Sequence, residues 1–116
     1  MNIDIDKYMR RMNDPDGSAF IDGICGDSME IYLVIKDQIV IDVSFFTDGC
    51  ESSRFCGAAA ASLAKDKSIT DILRIAPMDC VDLWGNKDGL QIHCAILAVS
   101  TLHKAIADYL LRFERS

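Results

Sequence analysis

The sequence predicts an α+β sandwich, a small three-stranded antiparallel sheet with helices packed on one face. Strand-like runs occupy the first half of the chain, helix-like runs follow them, and the connection between two of the strands is short enough for a hairpin.

In chain order, Ile5, Tyr8, Met9 and Met12 stand at helical spacing and stop at Asn13-Asp14-Pro15-Asp16-Gly17, a cluster that breaks regular structure. Three extended runs follow. Ala19 to Ile24 is short, and Met29 to Ile35 is nearly all apolar and β-branched. In the third, Ile39, Ile41, Val43 and Phe45 alternate with Val40, Asp42, Ser44 and Phe46, the period of a strand with one buried face. Lys36-Asp37-Gln38 joins the second and third runs as a hairpin, so these strands pair antiparallel.

After Gly49 the period becomes helical. Phe55, Ala59 and Leu63 share one face of an alanine-rich helix. Ser68-Ile69-Thr70-Asp71 resembles a capping box opening a short helix through Ile72, Leu73 and Ile75. Pro77 suits the first turn of another helix, which Gly85 closes. In the last segment, Ala95, Ala98, Val99, Leu102, Ala105, Ile106, Tyr109, Leu110 and Phe113 trace one continuous apolar stripe.

The 116 residues are half apolar and carry no linker, repeat or low-complexity stretch, which predicts one domain spanning 1–116. No long apolar run suggests a bilayer span, and Asp4 and Asp6 stand where a secretory or transit segment would carry bases. The expected setting is the cytoplasm, with no membrane partner. The net charge is −6 and the bases are scattered, which argues against nucleic acid as a partner. Arg10 and Arg11 read as a solvated helix face.

Five cysteines without a secretion signal are poorly explained by disulfides. Cys25 lies in a glycine-flanked loop, Gly23-Ile24-Cys25-Gly26-Asp27. Cys50 follows Asp48-Gly49 at the strand-to-helix junction, and Cys94 follows His93 at the start of the last helix. A helix start favours thiolate over thiol, which suits a nucleophile or a metal ligand. Packing of helices on the sheet would let these three segments converge at one end of the domain. Cys80, amid Met78, Val81, Leu83 and Trp84, reads as a small buried hydrophobe. Cys56 reads the same way, or as a thiol near enough to Cys50 to exchange sulfur with it. Asp27 either caps a turn or offers a carboxylate to the metal of Cys25. His93 is either a ligand or a supporting donor, and His103 reads as solvated.

Cys25-Gly26-Asp27, Thr47-Asp48-Gly49-Cys50, Ile92-His93-Cys94 with Ile96-Leu97-Ala98, and Ala105-Ile106-Ala107-Asp108-Tyr109 together resemble the IscU/NifU N-terminal scaffold family, from about Ser18 to the C-terminus. The resemblance implies the scaffold's α+β fold. It implies that Cys25, Cys50 and Cys94 are cluster cysteines, that Asp27 matches the labile carboxylate, and that His93 matches the accessory ligand. It also implies assembly of a transient 2Fe–2S cluster, Zn2+ in the same site in the cluster-free form, a cysteine desulfurase as sulfur donor, and apo iron–sulfur proteins as acceptors. The expected role is that of a scaffold rather than an enzyme. Thiolates are soft ligands for iron and accept persulfide sulfur, while a carboxylate or imidazole in fourth place eases release.

The sequence departs from the family in two places. Where the family has Leu-Pro-Pro-Val-Lys, this chain has Lys87-Asp88-Gly89-Leu90-Gln91, which argues against service by an Hsp70-type chaperone. Glu51, Ser52, Ser53, Arg54 and Phe55 replace the usual small residues after the second cysteine, and Cys56 is additional. Two other readings suit the same residues: a zinc-stabilised interaction module, and a sulfurtransferase passing persulfide through Cys50, Cys56 or Cys94.

Overall fold

The computed structural model describes residues 3–23, 27–85 and 92–113. Its elements are α1 (Ile5–Tyr8), β1 (Gly17–Asp22), β2 (Ser28–Lys36), β3 (Ile39–Phe46), α2 (Glu51–Ala64), α3 (Ile69–Ile72), α4 (Pro77–Trp84) and α5 (Ile92–Phe113). The sheet runs β1-β2-β3 with both pairs antiparallel.

The β2–β3 hairpin turns through Asp37 and Gln38, both at positive φ (54° and 67°). Two such residues bend the chain in the sense that matches strand twist, which selects the tight hairpin over an open loop. The turn is braced from outside: Ile69 N–H donates to the Gln38 carbonyl at 2.9 Å, and Val40 N–H donates to the Lys67 carbonyl at 2.9 Å.

The sheet corrects the alternation expected for β3. Val43 and Phe45 are fully buried, but so is Val40, while Ile41 is 39 % exposed. Val34 pairs with Asp42 and Ile35 pairs with Val40, leaving Ile41 as the extra residue of a β-bulge. One inserted residue reverses the facing of everything before it.

The core lies between the sheet and α2 and α5. Met29, Ile31 and Leu33 from β2 and Val43 and Phe45 from β3 meet Ala58 to Ala61 of α2 and Ala98, Leu102 and Ile106 of α5. The alanine run brings α2 close to the sheet. At Gly57 even a methyl would be too much, since a Cβ there would stand 2.4 Å from the Phe45 ring. The expected single face of α2 is therefore an underestimate, because residues 58–61 are all buried.

Ser68 caps α3 by accepting from Asp71 N–H at 3.1 Å. Pro77 opens α4, and Gly85 ends it at φ +86°, a left-handed conformation that glycine adopts without strain. The α5 stripe is buried through Ile106 and emerges at Phe113, which stacks on Tyr109 with centroids 5.1 Å apart. By length and composition α5 would suffice to cross a membrane, contrary to the reading that no such run exists. It packs instead against β1, β2, α2 and α4, and half of its apolar window is buried within the domain.

The helix placement expected for Arg10 and Arg11 and the solvated reading of His103 are both corrected, although the two arginines are exposed as expected. Arg10 and Arg11 lie beyond the single turn of α1 and bind the outer face of the sheet. Arg10 reaches Asp42 at 2.8 Å, and Arg11 forks onto both carboxylate oxygens of Glu30 at 3.0 and 3.1 Å while lying 3.9 Å from the Phe46 ring centroid. His103 is half-buried, and its Nε2 donates to the Ile72 carbonyl at 3.0 Å, tying α5 to the end of α3.

Candidate metal centre

Cys50 is the N-cap of α2, extended at φ −74°, and its side chain is exposed beside the first turn. The backbone N–H of Ser53 is the main cause holding its thiol below the ordinary cysteine range, although no full capping bond forms. Cys94 lies in the first turn of α5 but is buried, and loss of solvent pushes its thiol up. The expectation that both helix starts favour thiolate thus holds for Cys50 and fails for Cys94, where desolvation outweighs the helix end.

Asp27 immediately precedes β2. Its carbonyl accepts from Gly23 N–H, closing the base of the β1–β2 connection, and its carboxylate reaches the start of α2, where it accepts from the Ser53 hydroxyl. The Asp48 loop is latched to the same strand: Ser28 Oγ donates to Asp48 Oδ1 at 3.1 Å, and Thr47 Oγ1 donates to the Ser28 carbonyl and accepts from Gly49 N–H at 3.0 Å. Gly49 is needed for close approach, because a Cβ would stand 2.7 Å from Ser53 Oγ and 2.8 Å from Asp27 Cγ.

These constraints gather one carboxylate oxygen of Asp27 and the sulfurs of Cys50 and Cys94 within 4.8 Å of one another. Cys94 Sγ stands 3.9 Å from Asp27 Oδ2. Ligands bound at about 2.3 Å to one tetrahedral ion stand roughly 3.8 Å apart, so a small side-chain adjustment suffices to hold a metal. Two soft thiols and one hard, weaker carboxylate form a donor set that suits iron or zinc and leaves a coordination position open.

Cys25 lies outside the described residues, as does segment 87–91. His93 is half-buried and not among the gathered ligand atoms. It lines an apolar groove with Ile21, Gly23, Ile96, Leu97 and Ser100. Cys56 and Cys80 are fully buried. Desolvation raises both thiols, Cys80 to about 12, so each is a small core residue and Cys56 is poorly placed to trade sulfur with an exposed partner. The sequence reading missed Ser53, whose hydroxyl touches Asp27, lies 3.2 Å from Cys94 Sγ and lies 3.9 Å from Cys50 Sγ. The signal available was its position three residues after Cys50, on the same side of a helix start.

A three-stranded antiparallel sheet under helices, with two thiols and a carboxylate brought together, defines a small α+β domain carrying a group that could hold a metal ion. The chain belongs to the NifU-like N-terminal domain family, whose pattern matches residues 8–116. It is 33 % identical over 100 residues to the iron–sulfur cluster assembly scaffold protein IscU 1 of Archaeoglobus fulgidus, an alignment covering 85 % of this chain and 65 % of that protein. The chain therefore spans slightly less than two thirds of that relative's length. Its fold is similar to that of a candidate iron–sulfur cluster scaffold of the SUF system from Fervidobacterium islandicum, with TM-score 0.68, 14 % identity and coverage of 86 % and 87 % of the two chains. It is also similar to a NifU-like N-terminal structure from Brucella abortus, with TM-score 0.51, 20 % identity and coverage of 93 % and 81 %.

Proposed function

We propose that this chain, as one domain over residues 1–116, is a scaffold on which a 2Fe–2S cluster is assembled from iron and desulfurase-derived sulfur and then passed to apo-proteins. The observation that carries the reading is the convergence of Asp27, Cys50 and Cys94 at one end of a domain of this family. In this reading Cys25 supplies the third thiolate from the β1–β2 connection. His93, next to Cys94, serves as the accessory ligand. The cluster is cargo, not a resident cofactor, and the chain itself turns over no substrate.

The protein residues divide the work. Cys50 is exposed and more acidic than an ordinary thiol, so among the described cysteines it is the one best placed to meet an incoming metal or persulfide. Cys94 anchors the buried side. Asp27 binds more weakly than a thiolate and gives way first to an acceptor's thiols. Zn2+ suits the same donors when iron and sulfide are absent. The partners in this reading are a cysteine desulfurase and apo iron–sulfur acceptors, the setting is the cytoplasm, and no Hsp70-type chaperone is required.

Anaerobic reconstitution with iron and sulfide, followed by visible absorption and iron counting, tests the reading. Sulfide-to-iron bands and two irons per cluster are expected, with loss of the bands in Cys50→Ala and Cys94→Ala. A colourless protein that keeps stoichiometric zinc would assign the site to a structural module instead, and persulfide without iron uptake would assign it to sulfur transfer.

A further inference from the structure

Three hydroxyls of α2 and α5 are used in two different ways. Ser62 Oγ donates to the Ala59 carbonyl at 2.9 Å, and Thr101 Oγ1 donates to the Leu97 carbonyl at 2.7 Å. Both are the ordinary fate of a hydroxyl inside a helix, turned back onto the preceding turn. Ser53 is fully buried in the first turn of α2 and makes contacts beyond its own helix. Its single O–H goes to Asp27 Oδ2, since a carboxylate only accepts. Its lone pairs are left for Cys94 Sγ at 3.2 Å and Cys50 Sγ at 3.9 Å.

One hydroxyl thus meets all three gathered ligand groups. The backbone around them is already fixed, by the Thr47 and Ser28 contacts on one side and by Gly23 N–H on the Asp27 carbonyl on the other. The Asp27 side chain is half-buried, and Gly49 is bare so that carboxylate and hydroxyl can meet across it.

We infer that Ser53 is a positioning residue for metal capture, holding the Asp27 carboxylate in its converged arrangement before metal arrives. This rests on the scaffold reading and adds to it a residue outside the expected ligand set. A ligating carboxylate held by a neighbouring donor reaches its metal without first being ordered. Loss of such a donor typically costs about 10–100-fold in metal affinity.

The test is a Co2+ affinity cycle by chelator competition on wild type, Ser53→Ala, Asp27→Ala and the double variant, with sulfur-to-cobalt bands reporting thiolate ligation and thermal melts reporting fold. Ser53→Ala is expected to bind about 10–100-fold more weakly with its thiolate bands retained. The double variant should be little weaker than Asp27→Ala alone, because Ser53 acts through that carboxylate. Unchanged affinity in Ser53→Ala, or two losses that multiply independently, would overturn the role of Ser53 and leave the scaffold reading standing. A wild type that takes up neither Co2+ nor a cluster would overturn both. Should Ser53→Ala not fold, Ser53→Thr against Ser53→Val carries the same comparison at matched shape: tighter binding by the threonine variant is expected, and equal binding overturns the inference.

Discussion

Cys50 and Cys56 belong to the same short stretch of chain and have opposite properties. Cys50, at the cap of α2, is exposed, and its thiol is held low by a backbone N–H of the first turn. Cys56, inside the helix, is wholly buried, and desolvation drives its thiol well above the ordinary range. A helix start offers unpaired N–H groups and water, whereas a helix interior packed on a sheet offers only hydrocarbon. What a cysteine does here follows from where the chain puts it, and α2 carries a candidate ligand and a core residue within two turns.

Native-state alkylation is the most sensitive way to break that contrast. With iodoacetamide at neutral pH, Cys50 should react at least as fast as a free thiol. Cys56 and Cys80 should be slower by about 1,000-fold or more, since both must wait for the domain to open. Mass mapping of labelled peptides reads this directly, and Cys56 labelling at the rate of Cys50 would refute it.

A second measurement asks whether the two sites are separable in energy as well as in reactivity. Cys50→Ala removes an exposed side chain, so stability should change by no more than about 0.5 kcal/mol while metal uptake collapses. Cys56→Ser places a hydroxyl in the apolar core, at a cost of about 1–3 kcal/mol, and should leave metal affinity near wild type once folded. Denaturant unfolding paired with Co2+ titration distinguishes them; a large metal defect in folded Cys56→Ser would move Cys56 into the site.

The same distinction explains what the sequence made legible. The sheet, its hairpin, the α3 cap and the proline and glycine that bound α4 follow from local chemistry, because Asp37-Gln38, Ser68, Pro77 and Gly85 act over a few residues. The bulge at Ile41 is set by how β3 pairs with β2, and alternation within one strand carries no record of it. Cysteines 50 and 94 were visible through their place at helix starts, yet burial of Cys94 depends on α5 packing across the domain. Ser53 was hidden by the usual habit of helical serines, and its role depends on Asp27, which is brought over Gly49 only in the folded chain. Arg10 and Arg11 were misread because the α1 period extends past the single turn that forms; tertiary contacts with Asp42 and Glu30 claim them instead.

The smallest effect concerns that outer face, where environment again decides what a charged group contributes. Arg11 grips Glu30, which also accepts from the Tyr32 hydroxyl, and these hydrogen bonds, Arg11's above all, hold the Glu30 carboxyl below its ordinary range. A carboxylate whose folded pKa is depressed contributes its full stabilisation above the unfolded value near 4.5, and loses it as pH falls through the lower folded value. Arg11 is 58 % exposed, so solvent screens much of the attraction. At pH 7 Arg11→Ala should therefore lower Tm by no more than about 4 °C. The gap from wild type should close as the buffer is taken from pH 5 toward pH 3, and it should narrow with added salt. The guanidinium also covers the Phe46 ring, a contact that does not titrate, so a small residue of the gap should persist in acid. Melts of wild type and Arg11→Ala across that range check the sign: a gap that widens as pH falls would mean that Glu30 is stabilised by something other than Arg11.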